Sequence, residues 1–272
     1  MLKLHQGLLN KIRKIFFKIG LETLKIYQQS SPEKHYKKDN SPVTKADLIS
    51  NSILRKQLPK LINLPIVSEE DHDNNWADIK NDPRSFWLID PLDGTKDFLD
   101  KTGDFTVLVS LIINNYVKFG FTYLPIKNQL YYAANKFGAF KIFDHSRVSL
   151  NNLNTTELTQ KSLVSRHHFS QKEKRILNKL NFKIIKKGSA GLKLALIAEN
   201  KYNLYVSLSH GLSIWDVSSG ALLLKESGGE VTDLHGNKIN FNPRAIKLKK
   251  GLVASKNIDH KKIIKQISHF IN

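Results

Sequence analysis

The stretch Trp87-Leu88-Ile89-Asp90-Pro91-Leu92-Asp93-Gly94-Thr95-Lys96-Asp97-Phe98 decides how the chain is read. Phe86 to Ile89 is an apolar run of strand length, and Pro91 and Gly94 turn the chain at its end. Asp90 and Asp93 are thereby delivered at a strand terminus, facing the same space across a tight turn. Two carboxylates that close repel unless a cation or a proton separates them. Oxygen donors without Cys or an obligatory His favour a hard ion, Mg²⁺ above Ca²⁺ or Mn²⁺. An isolated Asp-Pro-x-Asp is equally a polar turn capped by Asp, so the rest of the chain decides.

Working outward, acids recur where strands end and helices begin. Leu64 to Val67 reads as a short strand that ends in Ser68-Glu69-Glu70-Asp71, and an exposed connection follows over 71–83. Ser41-Pro42-Val43-Thr44-Lys45-Ala46-Asp47 leads into a helix over 48–58, with Thr44 as N-cap and Asp47 in the manner of a capping box. Downstream, strands are expected over 104–113, 116–123, 129–134 and 137–143, antiparallel and without intervening helices. A polar stretch over 144–160 places a boundary between an N-terminal subdomain, 1–145, and a C-terminal subdomain, 146–272.

In the second half, strands over 161–165, 182–185 and 202–208 alternate with helices over 171–180 and 192–198. The small residues Gly188-Ser189-Ala190-Gly191 open the second of these helices, leaving amides available to an anion. Trp215-Asp216 opens an apolar helix that Gly228-Gly229 stops, where an acid suits the helix dipole. Residues 1–27 carry Leu4, Leu8, Ile12, Ile15, Phe16, Ile19 and Leu24 at helical spacing, which predicts an amphipathic helix packed on the domain. Contact with an anionic membrane surface is the alternative for the same residues.

Composition narrows the class. The 272 residues are 40% hydrophobic, enough for a large core. The chain has no Cys, which removes disulfides, thiolate metal sites and cysteine nucleophiles and suits a reducing cytoplasm. Lys and Arg number 43 against 24 acids, a net charge of +19. These bases are spread along the chain rather than gathered in a stripe, so specific nucleic-acid binding is not expected, while small polyanions would be attracted. No stretch approaches the ~20 apolar residues of a membrane span. His167-His168 reads as a surface pair, and Asn154-Thr155-Thr156 as a chance sequon.

Taken together, Val43-Thr44-Lys45-Ala46-Asp47, Ser68-Glu69-Glu70-Asp71, Asp90-Pro91-Leu92-Asp93-Gly94-Thr95 and Trp215-Asp216 through Gly220 resemble a known superfamily in order and spacing. It is the lithium-sensitive, magnesium-dependent phosphatase superfamily that includes inositol monophosphatase. Within it the chain is most similar to the CysQ group of 3′(2′),5′-bisphosphate nucleotidases, through Ser41 to Thr44, Ser68 to Asp71, Asp93 to Phe98 and the Gly188-Ser189 turn with Lys193.

The resemblance implies a layered αβαβα sandwich of the inositol monophosphatase and fructose-1,6-bisphosphatase type. It implies removal of the 3′-phosphate of 3′-phosphoadenosine 5′-phosphate by metal-activated water, giving AMP without a phosphoenzyme. Glu69, Asp90, Asp93, Asp216 and the Leu92 carbonyl would hold two or three Mg²⁺ ions, with Mn²⁺ as the alternative metal. Thr95 would orient the water, Asp47 would accept the Thr95 proton, and Glu70 would support or line the site. Gly94, Thr95, Ser189, Lys193 and Asp216 are the implied substrate contacts.

One departure stands out. Tyr205 to Gly211, before Trp215, lacks the arginine that relatives usually carry near the nucleotide phosphate, leaving Lys193 and His210. That gap keeps open an inositol or sugar monophosphatase. A basic nucleic-acid-binding protein on the same scaffold is the non-enzymatic alternative, against which the complete acid set weighs. The resemblance further implies a small phosphorylated substrate and a monomer or homodimer. The lack of Cys suits a cytoplasmic protein, and the basic N-terminal helix leaves weak peripheral association with the inner membrane as an alternative. Asp93→Asn is expected to leave circular dichroism unchanged and abolish phosphate release; full activity would sink the metal-ligand reading of Asp93.

Overall fold

β4 (Phe86–Asp93) runs through the middle of the molecule and is buried from Phe86 to Leu92. A strand covered on both faces takes apolar residues at every position, which is why it reads as an unbroken run. Its side chains divide by parity: Phe86 and Leu88 enter one hydrophobic core, Trp87 and Ile89 the other. The computed structural model describes residues 2–30, 32–37, 41–71, 84–144, 146–151, 160–209 and 211–271. The expected connection after Asp71, the Asn154-Thr155-Thr156 sequon and His210 lie outside the described residues.

β3 (Ile66–Ser68) pairs parallel with β4 on one side and β5 (Thr106–Ile113) pairs antiparallel on the other. β6 (Tyr116–Leu124), β7 (Gln129–Ala134), β8 (Gly138–Phe143) and β9 (Ser146–Ser149) continue the sheet as an antiparallel meander, completing seven strands in the order β3-β4-β5-β6-β7-β8-β9. A small ladder of β1 (Lys34–Tyr36) and β2 (Pro42–Thr44) lies apart from it. A second sheet has the order β11-β10-β12-β14-β13. It is built from β10 (Lys161–Ser165), β11 (Lys183–Lys187), β12 (Leu204–Ser207), β13 (Glu230–Thr232) and β14 (Leu252–Ser255).

The cores fix the layers. α1 (Leu2–Tyr27) and α2 (Lys45–Leu61) contribute Leu8, Ile12, Phe16, Leu54 and Leu58 to the core that holds Trp87, Ile89 and Val109. On the opposite face of the seven-stranded sheet lie α5 (Ala190–Ala198) and α6 (Ile214–Glu226). Their Leu194, Ala195, Val217 and Leu223 pack with Leu88 of one sheet and Tyr205 and Ala254 of the other. α4 (Gln171–Lys179) and α7 (His260–Ile271) cover the far side of the second sheet through Ile176, Leu177, Ile263 and Ile267. The result is the expected αβαβα sandwich, with α5 and α6 as its middle layer. The short α3 (Thr95–Leu99) follows β4 directly.

Three sequence expectations change. β4 does not end at Ile89: Asp90 still faces Leu108 and Asp93 faces Thr106, so three steps along β4 match two along β5. That extra residue is a bulge, and it accommodates Pro91, which has no N–H for the ladder. The boundary expected at 145 is followed by a strand of the first sheet, because Ser146 to Ser149 pair with β8. The first core also contains Leu150 and Leu163 side by side with both sheets, so the changeover shares one interior. The helix predicted over 192–198 begins at Ala190.

α1 buries Leu9, Ile12, Phe16 and Ile19 almost completely. Each such side chain contributes about 1.5–3 kcal/mol, so packing on the domain governs this face, with Phe17 and Leu21 left exposed. Among the described residues no helix is long and apolar enough to cross a membrane.

α6 is drawn close against the sheet. Ser218 and Ser219 hydrogen-bond to Ser110 at 2.7 Å and Thr122 at 2.9 Å across the layer. A Cβ on Gly120 would sit 2.9 Å from the Ser219 Cα and carbonyl oxygen, both backbone atoms. Gly120→Ala is therefore expected to destabilise the protein by about 1–3 kcal/mol. Urea denaturation would show a lowered midpoint at unchanged slope.

Candidate active site

Each acid reaches the site on a different element. The Glu69 amide donates to the Ile89 carbonyl at 3.2 Å, which extends the parallel β3–β4 pairing and sets Glu69 beside Asp90. The Ser213 amide donates to Asp216 Oδ2 at 2.6 Å, holding Asp216 in the first turn of α6. Glu69, Asp90 and Asp216 each present an oxygen within 4.8 Å of the others. Asp90 Oδ1 accepts the Leu92 amide at 3.0 Å, while Asp90 Oδ2 is buried without a hydrogen-bond partner.

Burial, and then repulsion from the neighbouring acids, pushes the Asp90 and Asp216 carboxyls well above the usual carboxylate range. A buried carboxylate oxygen with no partner is costly unless a cation meets it. The orphaned Asp90 oxygen and the all-oxygen donor set fit a hard divalent cation such as Mg²⁺ or Mn²⁺.

Asp93 is placed differently from the turn expected in the sequence. Its Oδ2 accepts Ser189 Oγ at 2.6 Å and the Gly191 amide at 2.8 Å, tying the end of β4 to the start of α5. Ser189 Oγ in turn accepts the Leu192 amide at 2.9 Å and lies 2.8 Å from Thr106 Oγ1. The Gly191 and Leu192 amides of this turn, expected to be available to an external anion, are already taken by Asp93 and Ser189.

Asp47 combines both roles that the sequence held apart. One oxygen, Oδ2, accepts the Thr44 amide at 2.8 Å and Thr44 Oγ1 at 2.5 Å, closing the capping box of α2. The other, Oδ1, lies 3.0 Å from Thr95 Oγ1, which is also 3.2 Å from the Leu92 carbonyl. Burial, only partly offset by the Thr44 hydrogen bonds, raises the Asp47 carboxyl to about 6. Gly94 delivers Thr95: it has φ +98°, and a Cβ there would sit 2.9 Å from the Asp104 carbonyl. Only glycine tolerates both conditions.

The remaining expectations are partly redirected. Lys193 is 3% exposed, and its ammonium donates to the Ser189, Gly188 and Lys187 carbonyls at 2.8, 3.1 and 3.4 Å. Its three donors thus fasten the turn before α5, while its side chain lines the cleft. Burial, only partly offset by Asp93 and its neighbours, brings it down to about 8. Glu70 is buried against Lys37, whose Nζ lies 2.7 Å from Glu70 and 3.0 Å from Glu69. Burial and Glu69 push the Glu70 carboxyl up, and Lys37 opposes them.

His167 and His168 line the cleft instead of a plain surface, and His167 Nε2 is 3.1 Å from Asp97. Sequence reasoning also missed Lys37 and the group around Arg166. Arg166 bonds Asp97 through Nε at 2.7 Å and Asp104 through its terminal nitrogen, and Lys187 meets Asp104 at 3.0 Å. These pairs clamp α3 to the ends of β10 and β11. Their partners are 62 to 83 residues apart, and no local pattern marks them.

Glu69, Asp90, Asp93, Thr95, Lys193 and Asp216 line one cleft of about 1150 Å³. Its floor is acidic, and the chain between β13 and β14 lines it with Lys238, Arg244, Lys247 and Lys250.

Comparison with known proteins places the chain in a family. The profile of the inositol monophosphatase family matches residues 8–271. The chain is 35% identical to the 3′(2′),5′-bisphosphate nucleotidase CysQ of Aggregatibacter actinomycetemcomitans, over 82% of this chain and 83% of that protein. It is 33% identical to CysQ of Haemophilus influenzae, over 90% and 91%. The crystal structure of CysQ from Bacteroides thetaiotaomicron superposes with a TM-score of 0.75 at 25% identity, covering 92% of this chain and 98% of that one.

The orphaned oxygen of Asp90 yields a stability test. In EDTA, Asp90→Asn is expected to gain about 1–3 kcal/mol, the scale of an unpaired buried polar group. The same variant should lose the rise in melting temperature that Mg²⁺ gives the wild type. Thermal unfolding with EDTA and with Mg²⁺ reads both effects, and an undiminished Mg²⁺ response would remove Asp90 from the metal site.

Proposed function

The chain belongs to the inositol monophosphatase family, and within it we propose a magnesium-dependent 3′(2′),5′-bisphosphate nucleotidase that converts 3′-phosphoadenosine 5′-phosphate to AMP and inorganic phosphate. The observation that carries this reading is the buried convergence of Glu69, Asp90 and Asp216, with one oxygen unpartnered, at the floor of a cleft whose wall is basic. The CysQ relatives from Aggregatibacter and Haemophilus support the substrate. Enzymes of this family are metal-dependent. Here Glu69, Asp90, Asp93, Asp216 and the Leu92 carbonyl would hold the ions.

When bound, Mg²⁺ supplies a nucleophilic water at neutral pH and offsets charge on the phosphoryl group. The protein's own groups do the positioning. Thr95 commits its proton to Asp47, so its oxygen meets the attacking water as an acceptor and fixes its direction. Asp47 cannot rotate away, because Thr44 binds its second oxygen twice. Asp93, held by Ser189 and Gly191, keeps the acids registered against α5. Water adds to phosphorus in line, the bond from phosphorus to the ribose 3′-oxygen breaks, and that oxygen leaves with a proton. Binding geometry and charge account for the rate, as is general for phosphoryl transfer.

The test is phosphate release with Mg²⁺, then with added Li⁺, from 3′-phosphoadenosine 5′-phosphate, inositol 1-phosphate and fructose 1,6-bisphosphate. The expected outcome is at least tenfold higher kcat/KM for the nucleotide and inhibition by Li⁺. Preference for inositol phosphate would overturn the nucleotidase reading in favour of a monophosphatase.

A further inference from the structure

Cations in and around the cleft differ in how they are engaged among the described residues. Lys37 is neutralised by Glu69 and Glu70, Arg166 by Asp97 and Asp104, and Lys187 by Asp104. Lys193 spends its ammonium on three carbonyls. None of these can give its full charge to a ligand. The exposed cations that line the cleft are Lys96 on α3 and Lys238, Arg244, Lys247, Lys249 and Lys250 on the chain between β13 and β14.

Lys247 is the best placed of them. Its backbone is bridged antiparallel to Ser213, the residue before α6. The Ile214 amide donates to the Ile246 carbonyl at 2.9 Å and the Leu248 amide to the Leu212 carbonyl at 2.8 Å. Two flanking hydrogen bonds therefore hold Lys247 beside the chain that delivers Asp216. Its Nζ donates to the Gly211 carbonyl at 3.3 Å, which leaves two of its three protons unspent. Its charge also reaches the floor: Asp216, pushed up by burial and its acidic neighbours, is drawn partly back by Lys247. The segment before Trp215 carries no arginine or lysine from Asn203 to Ile214, and Lys247 stands across from that segment.

We propose that Lys247 is the specificity-determining residue that binds the second phosphate of the substrate, the one that is not hydrolysed. This rests on the bisphosphate reading above. With the first phosphate at the acidic floor, a ligand carrying a second dianion gains a charge-assisted hydrogen bond at Lys247, and a monophosphate does not. A bond of that kind contributes roughly tenfold or more in affinity.

The test compares wild type, Lys247→Ala and Lys247→Arg, all with Mg²⁺, on 3′-phosphoadenosine 5′-phosphate and on adenosine 3′-monophosphate. Lys247→Ala is expected to raise KM for the bisphosphate about tenfold with kcat changed less than twofold, and to leave the monophosphate unaffected. Lys247→Arg is expected to restore most of the difference. Calorimetric binding of AMP, which keeps the second phosphate, should weaken at least fivefold in Lys247→Ala.

Equal losses on both substrates would overturn the proposal, since Lys247 would then act on the common chemistry. An unchanged KM and unchanged AMP binding would also overturn it, placing the second phosphate elsewhere while the nucleotidase reading stands. A wild type that does not favour the bisphosphate over the monophosphate would overturn both.

Discussion

Glu69, Asp90 and Asp216 are held within reach of one another although burial and their own charges oppose it. Each ionised group that leaves water costs several kcal/mol before any partner is counted, against a net stability of about 5–15 kcal/mol for a folded protein. Such a site exists only where the surrounding packing more than compensates. Here β4 has a core on each face, with Trp87 and Ile89 on one side and Phe86 and Leu88 on the other. Asp90 stands at the end of a strand buried from Phe86 to Leu92, where displacement would disturb both cores.

Convergence also requires that the seven-stranded sheet and the middle helical layer meet at one level. β3 and β4 bring Glu69 and Asp90, and α6 brings Asp216 across the middle layer. The hydrogen bonds from Ser218 and Ser219 to Ser110 and Thr122 set how closely α6 approaches the sheet. The bulge in β4 absorbs Pro91 and turns Asp93 toward Ser189 and Gly191. Asp93 therefore ties β4 to α5, and the arrangement of acids depends on both middle-layer helices.

Ion pairs around the site divide the positive charge of the chain into structural and available parts. Arg166, Lys187 and Lys37 are matched to acids, and Lys193 to carbonyls, so these cations stabilise the walls. Lys247 spends one proton on the Gly211 carbonyl and otherwise presents its charge to the cleft. A net charge of +19 would by itself draw any polyanion. Its division into matched and unmatched cations is what gives that attraction a direction.

Much of this was legible in the sequence, because strand runs and capping signals are local. The apolar run before Asp90, the Thr44-to-Asp47 cap, the meander and the start of α6 each depend on neighbours within a few residues. The αβαβα order and the set Glu69, Asp90, Asp93 and Asp216 were implied by the family resemblance that those segments carry, and the structure brings Glu69, Asp90 and Asp216 within reach of one another. Tertiary structure alone decided which oxygens face one another, that Lys193 turns inward, that Lys37 meets Glu70, and that Arg166 bridges Asp97 and Asp104. It also set Lys247 opposite Ser213. Those contacts join residues separated by about twenty or more positions, except within the Lys193 turn. Their geometry is fixed by how the layers pack, and that is not encoded in any local pattern.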